Sequence, residues 1–429
     1  MTTTLRRAAI IGGTRIPFAR SNTAYLEFSN LDMLSAALKA LVERFGLRGA
    51  TLGEVAAGAV IKHARDAGMA REATLASGLD PHTPAYDVQR ACGTSLTALA
   101  QLAHRIAAGE IESAIAGGVD TVSDVPITYG RRLQGIVLES SRGRSAGERI
   151  KPWLRLRPRD LKPSVPAITE PSTGLSMGEH CELMAKEWGI GRREQDELAN
   201  ASHLKAAAAW REGFFDDLVV PFGGLKSDNN LRADSTIEKL GKLKPAYDRS
   251  AAGTLTAGNS TPLTDGASCV LLGSEDWARS RNLPVQAFIT CSASAAVDFV
   301  GTAGPREGLL MAPTYAVPGM LDRLSITLQD FDIYEIHEAF AAQVLCTLKA
   351  WESGKYCKER LGRAQPLGAI DRAKLNPKGS SVAVGHPFAA TGTRIVATLA
   401  KQLAQRGSGR GLISICTAGG MGVSAVLER

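Results

Sequence analysis

The chain opens on an apolar run, Ala8–Ile11, and a second apolar stretch spans Glu54–Ile61. Both read as buried strands, and the amphipathic spacing over Asp32–Phe45 predicts a helix between them. From Val88 the pattern gives a short strand, a tight turn at Cys92-Gly93, and a helix from Thr94 to about Ala108. The small side chains of that helix suit burial on every side. Ser113–Val119, ending in Gly117-Gly118, reads as a further strand. Strands alternating with helices predict an α/β fold with a largely parallel sheet.

The pattern changes between about Asp120 and Arg249. Pro126, Pro152, Pro158, Pro163, Pro166 and Pro171 punctuate a basic stretch that reads as irregular, and helical spacing resumes only at Ser176–Trp188 and Arg193–Glu212. This region reads as an insertion laid over the core, with regularity returning at Thr254–Asn259 and Ala267–Leu272. The C-terminal part repeats the first plan: strands at Phe331–Ile336 and Ser380–Val384, a turn at Gly385-His386-Pro387, a helix over Ala389–Gln405, and strands at Gly411–Cys416 and Val423–Leu427. Ala116-Gly-Gly-Val echoes Ala418-Gly-Gly-Met, which points to a duplicated unit. The expected organisation is 1–120 with 250–274 as one half, 121–249 as the insertion, and 275–429 as the other half.

Composition narrows the class. With 429 residues, 44% hydrophobic and 22% charged, the chain is neither disordered nor fibrous. No window approaches 18 consecutive apolar residues, so a spanning helix is not expected. The opening residues do not resemble a secretory signal. Seven scattered cysteines without CxxC pairs read as reduced thiols rather than a disulfide frame or metal site, which points to the cytoplasm. The net charge of +7 is concentrated in residues 131–162, where ten Lys/Arg face only Glu139, Glu148 and Asp160. Such a segment implies a local anionic partner. At 5% aromatic residues and with no nucleic-acid module, nucleic acid is not the expected one.

Three positions carry candidate chemistry. Cys92 stands at the start of a helix, where backbone N–H groups and the helix dipole favour a thiolate and a lowered pKa. His386, between Gly385 and Pro387 ahead of another helix, is a natural base for a nearby thiol. Cys416 leads a glycine-rich loop after a strand, a place where backbone N–H groups meet an oxyanion or ligand. His337, in Glu335-Ile-His-Glu-Ala-Phe-Ala, ends a strand; taken alone it reads as a polar turn.

Together these segments resemble the thiolase family over nearly the whole chain: Gln89-Arg-Ala-Cys-Gly-Thr-Ser, Ser176-Met-Gly-Glu, Thr256-Ala-Gly-Asn-Ser, His337-Glu-Ala-Phe-Ala, Gly385-His-Pro with Thr391-Gly, and Cys416 with its glycines, in family order. The resemblance implies a duplicated, five-layered α/β/α/β/α fold with an inserted loop domain. It implies reversible thiolysis of 3-ketoacyl-CoA through an acyl-cysteine, as in fatty-acid β-oxidation. Cys92 would be the nucleophile, His386 its base and Cys416 the second acid/base. His386 and His337 would serve the thioester oxygen, and the backbone N–H groups of Cys92 and Ala418 the acyl-enzyme. Ser176, Met177, Thr261 and Met311 would lie near the acyl-pantetheine tunnel. No metal or cofactor is implied, CoA being a substrate.

Two departures from the family pattern matter. Many thiolases carry Asn at the position of His337, and His resembles the branch containing β-subunits of trifunctional fatty-acid-oxidation complexes. Ala418 replaces a glycine, which a backbone donor tolerates if φ is negative. The resemblance further implies a homo-oligomer (dimer or tetramer). For the basic segment it offers three readings: a solvated stretch attracting CoA phosphates, a docking surface for a hydratase/dehydrogenase subunit, and contact with an anionic membrane. The rival activities are a 3-ketoacyl synthase, against which Cys416 argues, and a non-catalytic acyl-CoA-binding subunit.

Overall fold

The computed structural model describes residues 6–166 and 169–429. Strands β1 (Ala8–Arg15), β2 (Glu54–Ala57), β3 (Ala85–Asp87), β4 (Ser113–Asp120) and β5 (Thr264–Ser274) form the N-terminal half of the sheet. Strands β6 (Ala287–Ala296), β7 (Ile333–Ile336), β8 (Arg410–Thr417) and β9 (Met421–Glu428) form the C-terminal half. The strand order is β7-β8-β9-β6-β1-β5-β4-β2-β3. The expected parallel character holds only in part: β3, β2 and β4 pair in parallel, as do β7 and β8, whereas β4–β5, β5–β1, β8–β9 and β9–β6 are antiparallel.

The duplication is visible in that pairing. Counted inward from β2 in one half and from β7 in the other, the pairings run parallel, antiparallel, antiparallel, each ending on that half's own first strand, and the two first strands meet antiparallel. Where β3 borders β2, the C-terminal half has a single parallel bridge, Tyr334 to Leu375. The Ala-Gly-Gly echo does not mark this repeat. Ala116–Gly118 lies inside β4, while Ala418–Gly420 is the turn between β8 and β9.

The helices are α1 (Asn30–Arg44), α2 (Met69–Ala76), α3 (Thr94–Ala107), α4 (Arg131–Arg142), α5 (Ala146–Ile150), α6 (Met177–Glu187), α7 (Arg192–Arg211), α8 (Pro313–Leu324), α9 (Ala341–Glu352), α10 (Ser381–Val384) and α11 (Thr391–Arg406). Alternation along the strands sorts their side chains into layers. Ile10, Ala114, Val270 and Leu272 face α3 and α11, and so do Ile413, Ile415, Val423 and Ala425 from the other half. The outward residues Ile11, Ile115, Cys269 and Leu271 pack under α1 and α2. Tyr334, Ile336, Leu412 and Val426 pack under α8 and α9. The result is α/β/α/β/α, with α3 and α11 buried together in the middle. Gly392 lets them touch, because a Cβ there would sit 2.4 Å from the Leu96 backbone nitrogen.

Between Asp120 and Thr264 the chain leaves the sheet. The stretch read as irregular contains α4 and α5, and α4 buries only Leu133 and Ile136, too few to show a periodic face. No strand forms over 254–259; that segment runs as turns. Ser380–Val384, expected as a strand, is the helical turn α10. A short apolar run does not distinguish the two, and hydrogen bonds from the Ala383 and Val384 N–H groups back to the Ser380 carbonyl close the turn.

Candidate active site

Cys92 precedes α3, and His386 precedes α11, so the contact at Gly392 brings both helix starts to one place. The turn before α3 is strained: Ala91 has φ +42°, a conformation that costs an L-residue about 1–2 kcal/mol. Thr94 holds it, accepting from the Arg90 N–H at 2.8 Å and donating to the Ala91 carbonyl at 2.7 Å. Gly385, at φ +103°, makes the bend that carries His386. Asp120, at the end of β4, accepts from the Val60, Ile61 and Ala389 N–H groups and so ties the start of α11 to the N-terminal half. Burial pushes its carboxyl up to about 7.

His386 Nε2 lies 3.1 Å from the Cys92 sulfur, and its Nδ1 lies 2.5 Å from the Thr391 hydroxyl. The His337 ring sits beside it, with centroids 4.1 Å apart. The backbone N–H groups of Ala418 and of Cys92 itself act on the sulfur, lowering its pKa. Ala418 does not have positive φ, whereas Gly419 (+75°) and Gly420 (+68°) do, so the one non-glycine in this loop occupies the position that permits a side chain. Gly419 donates its N–H to Glu170 at 2.7 Å, a contact from the excursion to the catalytic loop.

Cys416 is buried at the end of β8, and Thr417 beside it packs against Gly93. Burial, and after it the nearby Cys92 sulfur, hold the Cys416 thiol well above its usual value. The structure therefore assembles Cys92, His386, His337, Cys416 and the Ala418 N–H. It places Met177 and Met311 in the apolar cluster that contains Cys416, with Ser176 capping α6. Thr261 stands on another wall: its hydroxyl donates to the Ala339 carbonyl at 3.1 Å, and it lines a cavity of about 640 Å³ with Tyr247, Ser260 and Leu263. Leu263 pairs with His386, which sets that cavity beside the reacting groups.

Electrostatics correct one expectation. Cys92 is not acidified by its helix; burial pushes it up to about 12, against the lowering effect of the two N–H groups. The residue keeps some exposure. Burial, followed by the charge of Arg394, lowers His386 to about 3. The two groups meet as neutral thiol and neutral imidazole.

Several site residues had no sequence signal of their own. Ser381 lies 2.8 Å from His337 Nδ1, and Arg394 donates to the Ser381 hydroxyl at 2.6 Å. Glu338 accepts from Ser202, Asn376 and the Val382 N–H, joining the end of β7 to α10. Asn376, at φ +45°, is marked only by the fold. Among the described residues, one group of three side chains has the spacing to hold a metal ion: Cys92, His337 and His386, with ligand atoms within 4.8 Å of one another.

A cysteine and a histidine at paired helix starts in a duplicated five-layer core, with backbone donors aimed at the sulfur, define an acyl-transferring enzyme. Two family models then cover the chain, the thiolase N-terminal domain over residues 8–276 and the thiolase C-terminal domain over 291–429. The chain belongs to the thiolase family. It is 42% identical over 428 residues to a 3-ketoacyl-CoA thiolase of Yersinia pestis (strain Pestoides F), covering 98% of this chain and 97% of that protein. The acetyl-CoA acetyltransferase of Bacillus anthracis superposes with a TM-score of 0.81 at 30% identity, covering 100% of both chains. Human mitochondrial 3-ketoacyl-CoA thiolase in complex with CoA gives 0.80 at 27%, covering 99% of this chain and 98% of that one. No helix among the described residues is long and apolar enough to cross a membrane.

Proposed function

We propose that the chain cleaves 3-ketoacyl-CoA with CoA, giving acetyl-CoA and a shortened acyl-CoA, and runs the reverse condensation. The observation that carries this reading is the 3.1 Å contact between His386 Nε2 and the Cys92 sulfur. The Cys92 sulfur attacks the 3-keto carbon while its proton passes to His386 Nε2. The C2–C3 bond breaks, its electron pair forms the enolate of acetyl-CoA, and Cys416 protonates that carbon. Cys416 then takes the proton of the incoming CoA thiol, whose sulfur displaces the acyl group from Cys92. His337 Nε2 and protonated His386 stabilise the thioester enolate oxygen; the Cys92 and Ala418 N–H groups stabilise the oxyanion on the acyl carbon. CoA and its thioesters are substrates, and the scheme uses no other cofactor.

The cavity of about 640 Å³ beside His386 suits the CoA moiety, because Arg20, Arg232 and Lys239 line it and can meet phosphates. Met177 and Met311 supply an apolar, adaptable wall on the acyl side. The 3-ketoacyl synthase alternative has no use for Cys416, since decarboxylation makes its carbanion without a proton transfer at carbon.

Supporting the reading of a homo-oligomer, β3 is an edge of the sheet among the described residues. The helices α4 and α5 and the turn after them expose Leu138, Ile150 and Leu154 among the cations of 131–162. That combination suits an anionic surface, on a partner subunit with hydratase/dehydrogenase activity or on a membrane.

The test is mass spectrometry of the protein mixed with 3-ketoacyl-CoA of graded chain length, followed by addition of CoA. An acyl group on Cys92, released by CoA, is expected. Binding without acylation, or malonyl-dependent condensation without thiolysis, would overturn the reading.

A further inference from the structure

The two active-site imidazoles stand side by side but are addressed by different hydroxyls, and the Ser381 hydroxyl is the more constrained. Arg394 carries donors only, and its Nη2 reaches the Ser381 oxygen at 2.6 Å. Ser381 therefore accepts from Arg394. Its own proton has no acceptor among the described residues other than His337 Nδ1, 2.8 Å away. A hydroxyl that donates to Nδ1 fixes the neutral imidazole with its proton on Nε2. That Nε2 is buried and has no hydrogen-bond partner among the described residues, which leaves its N–H for an oxygen of the substrate.

We infer that Ser381 and Arg394 are positioning residues that lock His337 in the Nε2–H tautomer, making it an oxyanion donor rather than a second base. This rests on the reading of His337 as an oxyanion donor given above. Arg394 sits close to Glu335 and Glu338, whose charges act on it. Glu338 holds α10 against the end of β7, keeping Ser381 within reach of the ring. The lock explains how two adjacent histidines take opposite duties. His386 must present a bare Nε2 to the thiol, with Nδ1–H donated to Thr391, while His337 must present a proton.

The experiment pairs ¹⁵N-histidine NMR with steady-state kinetics. In the wild type, His337 should show a protonated Nε2 and an unprotonated Nδ1. Ser381→Ala should populate the other tautomer and lower kcat roughly 10- to 100-fold with KM within about twofold, less than the roughly 10²–10³-fold expected for losing the donor in His337→Ala. Ser381→Thr, which keeps the hydroxyl, should restore both. A circular-dichroism melt reports that each variant is folded, and Arg394→Lys, which keeps a donor, serves as a second variant should Ser381→Ala fail to fold. It should retain the wild-type tautomer and most of kcat. If His337→Ala is impaired while Ser381→Ala keeps both tautomer and kcat, the lock is wrong and the donor reading stands. If His337→Ala is itself unimpaired, the donor reading fails and the lock with it.

Discussion

In the N-terminal half the path from the edge strand β3 to α3 is short: a strained turn at Ala91, then the thiol, then the helix. In the C-terminal half the equivalent edge is one bridge at Leu375, and the chain spends the following residues on α10 before reaching His386 and α11. The frames are the same and the chemistry is opposite. Duplication supplies two buried helix starts facing each other; replacing a strand with a turn gives one of them Ser381, a bend at Gly385 and an imidazole. Burial acts on the two groups in opposite directions, raising the thiol and lowering the imidazole, so each arrives uncharged.

The strongest way to break this comparison is to remove one side at a time. Cys92→Ala should abolish acyl-enzyme and reduce thiolysis by about 10⁴-fold or more, whereas His386→Ala should lose about 10²–10⁴-fold while still acylating slowly. Equal losses with no acylation in either would mean that the halves do not divide the work as nucleophile and base. Cys416→Ala should also slow turnover about 10²–10⁴-fold, yet leave the first acylation of Cys92 detectable; normal turnover would remove Cys416 from the scheme. Gly392→Ala probes the contact between the halves. Its Cβ meets backbone, so a loss of about 1–3 kcal/mol in urea unfolding is expected, and an unchanged midpoint would show that α3 and α11 need not touch.

The smallest effect concerns the excursion that bridges the halves. His203 on α7 is lowered to about 4 by burial and by Arg232. Once unfolded it takes up a proton near 6.5, so its contribution is complete above that pH and drains as pH falls toward 4. Between about pH 7 and 5 the wild type should lose up to about 2 kcal/mol more stability than His203→Gln. Parallel curves for the two proteins would contradict the assigned shift.

The reacting groups were legible because each stands in a short, chemically unusual context. Cys92-Gly93 and Gly385-His386-Pro387 both precede helices of small residues, and Cys416 precedes glycines. Their supports were not. Ser381, Arg394, Glu338 and Asn376 are ordinary residues in sequence, and each acts on a group brought near by the sheet rather than by spacing along the chain. Depth was illegible too: a helix start argues for an acidic thiol, and only the surrounding protein shows that burial outweighs it. The duplication was inferred correctly from the order of elements but through an echo that is not structurally equivalent, since one Ala-Gly-Gly lies within a strand and the other in a turn. Over 131–142 the helix was invisible because Leu133 and Ile136 are its only buried residues.

The bond from Gly419 to Glu170 has a practical corollary for anyone building chimeras. Residues 121–263 look like a detachable module, but this module supplies the carboxylate that holds the turn of the β8–β9 hairpin. A transplanted version lacking an equivalent acid would bring its own surface and lose the register of the loop after Cys416.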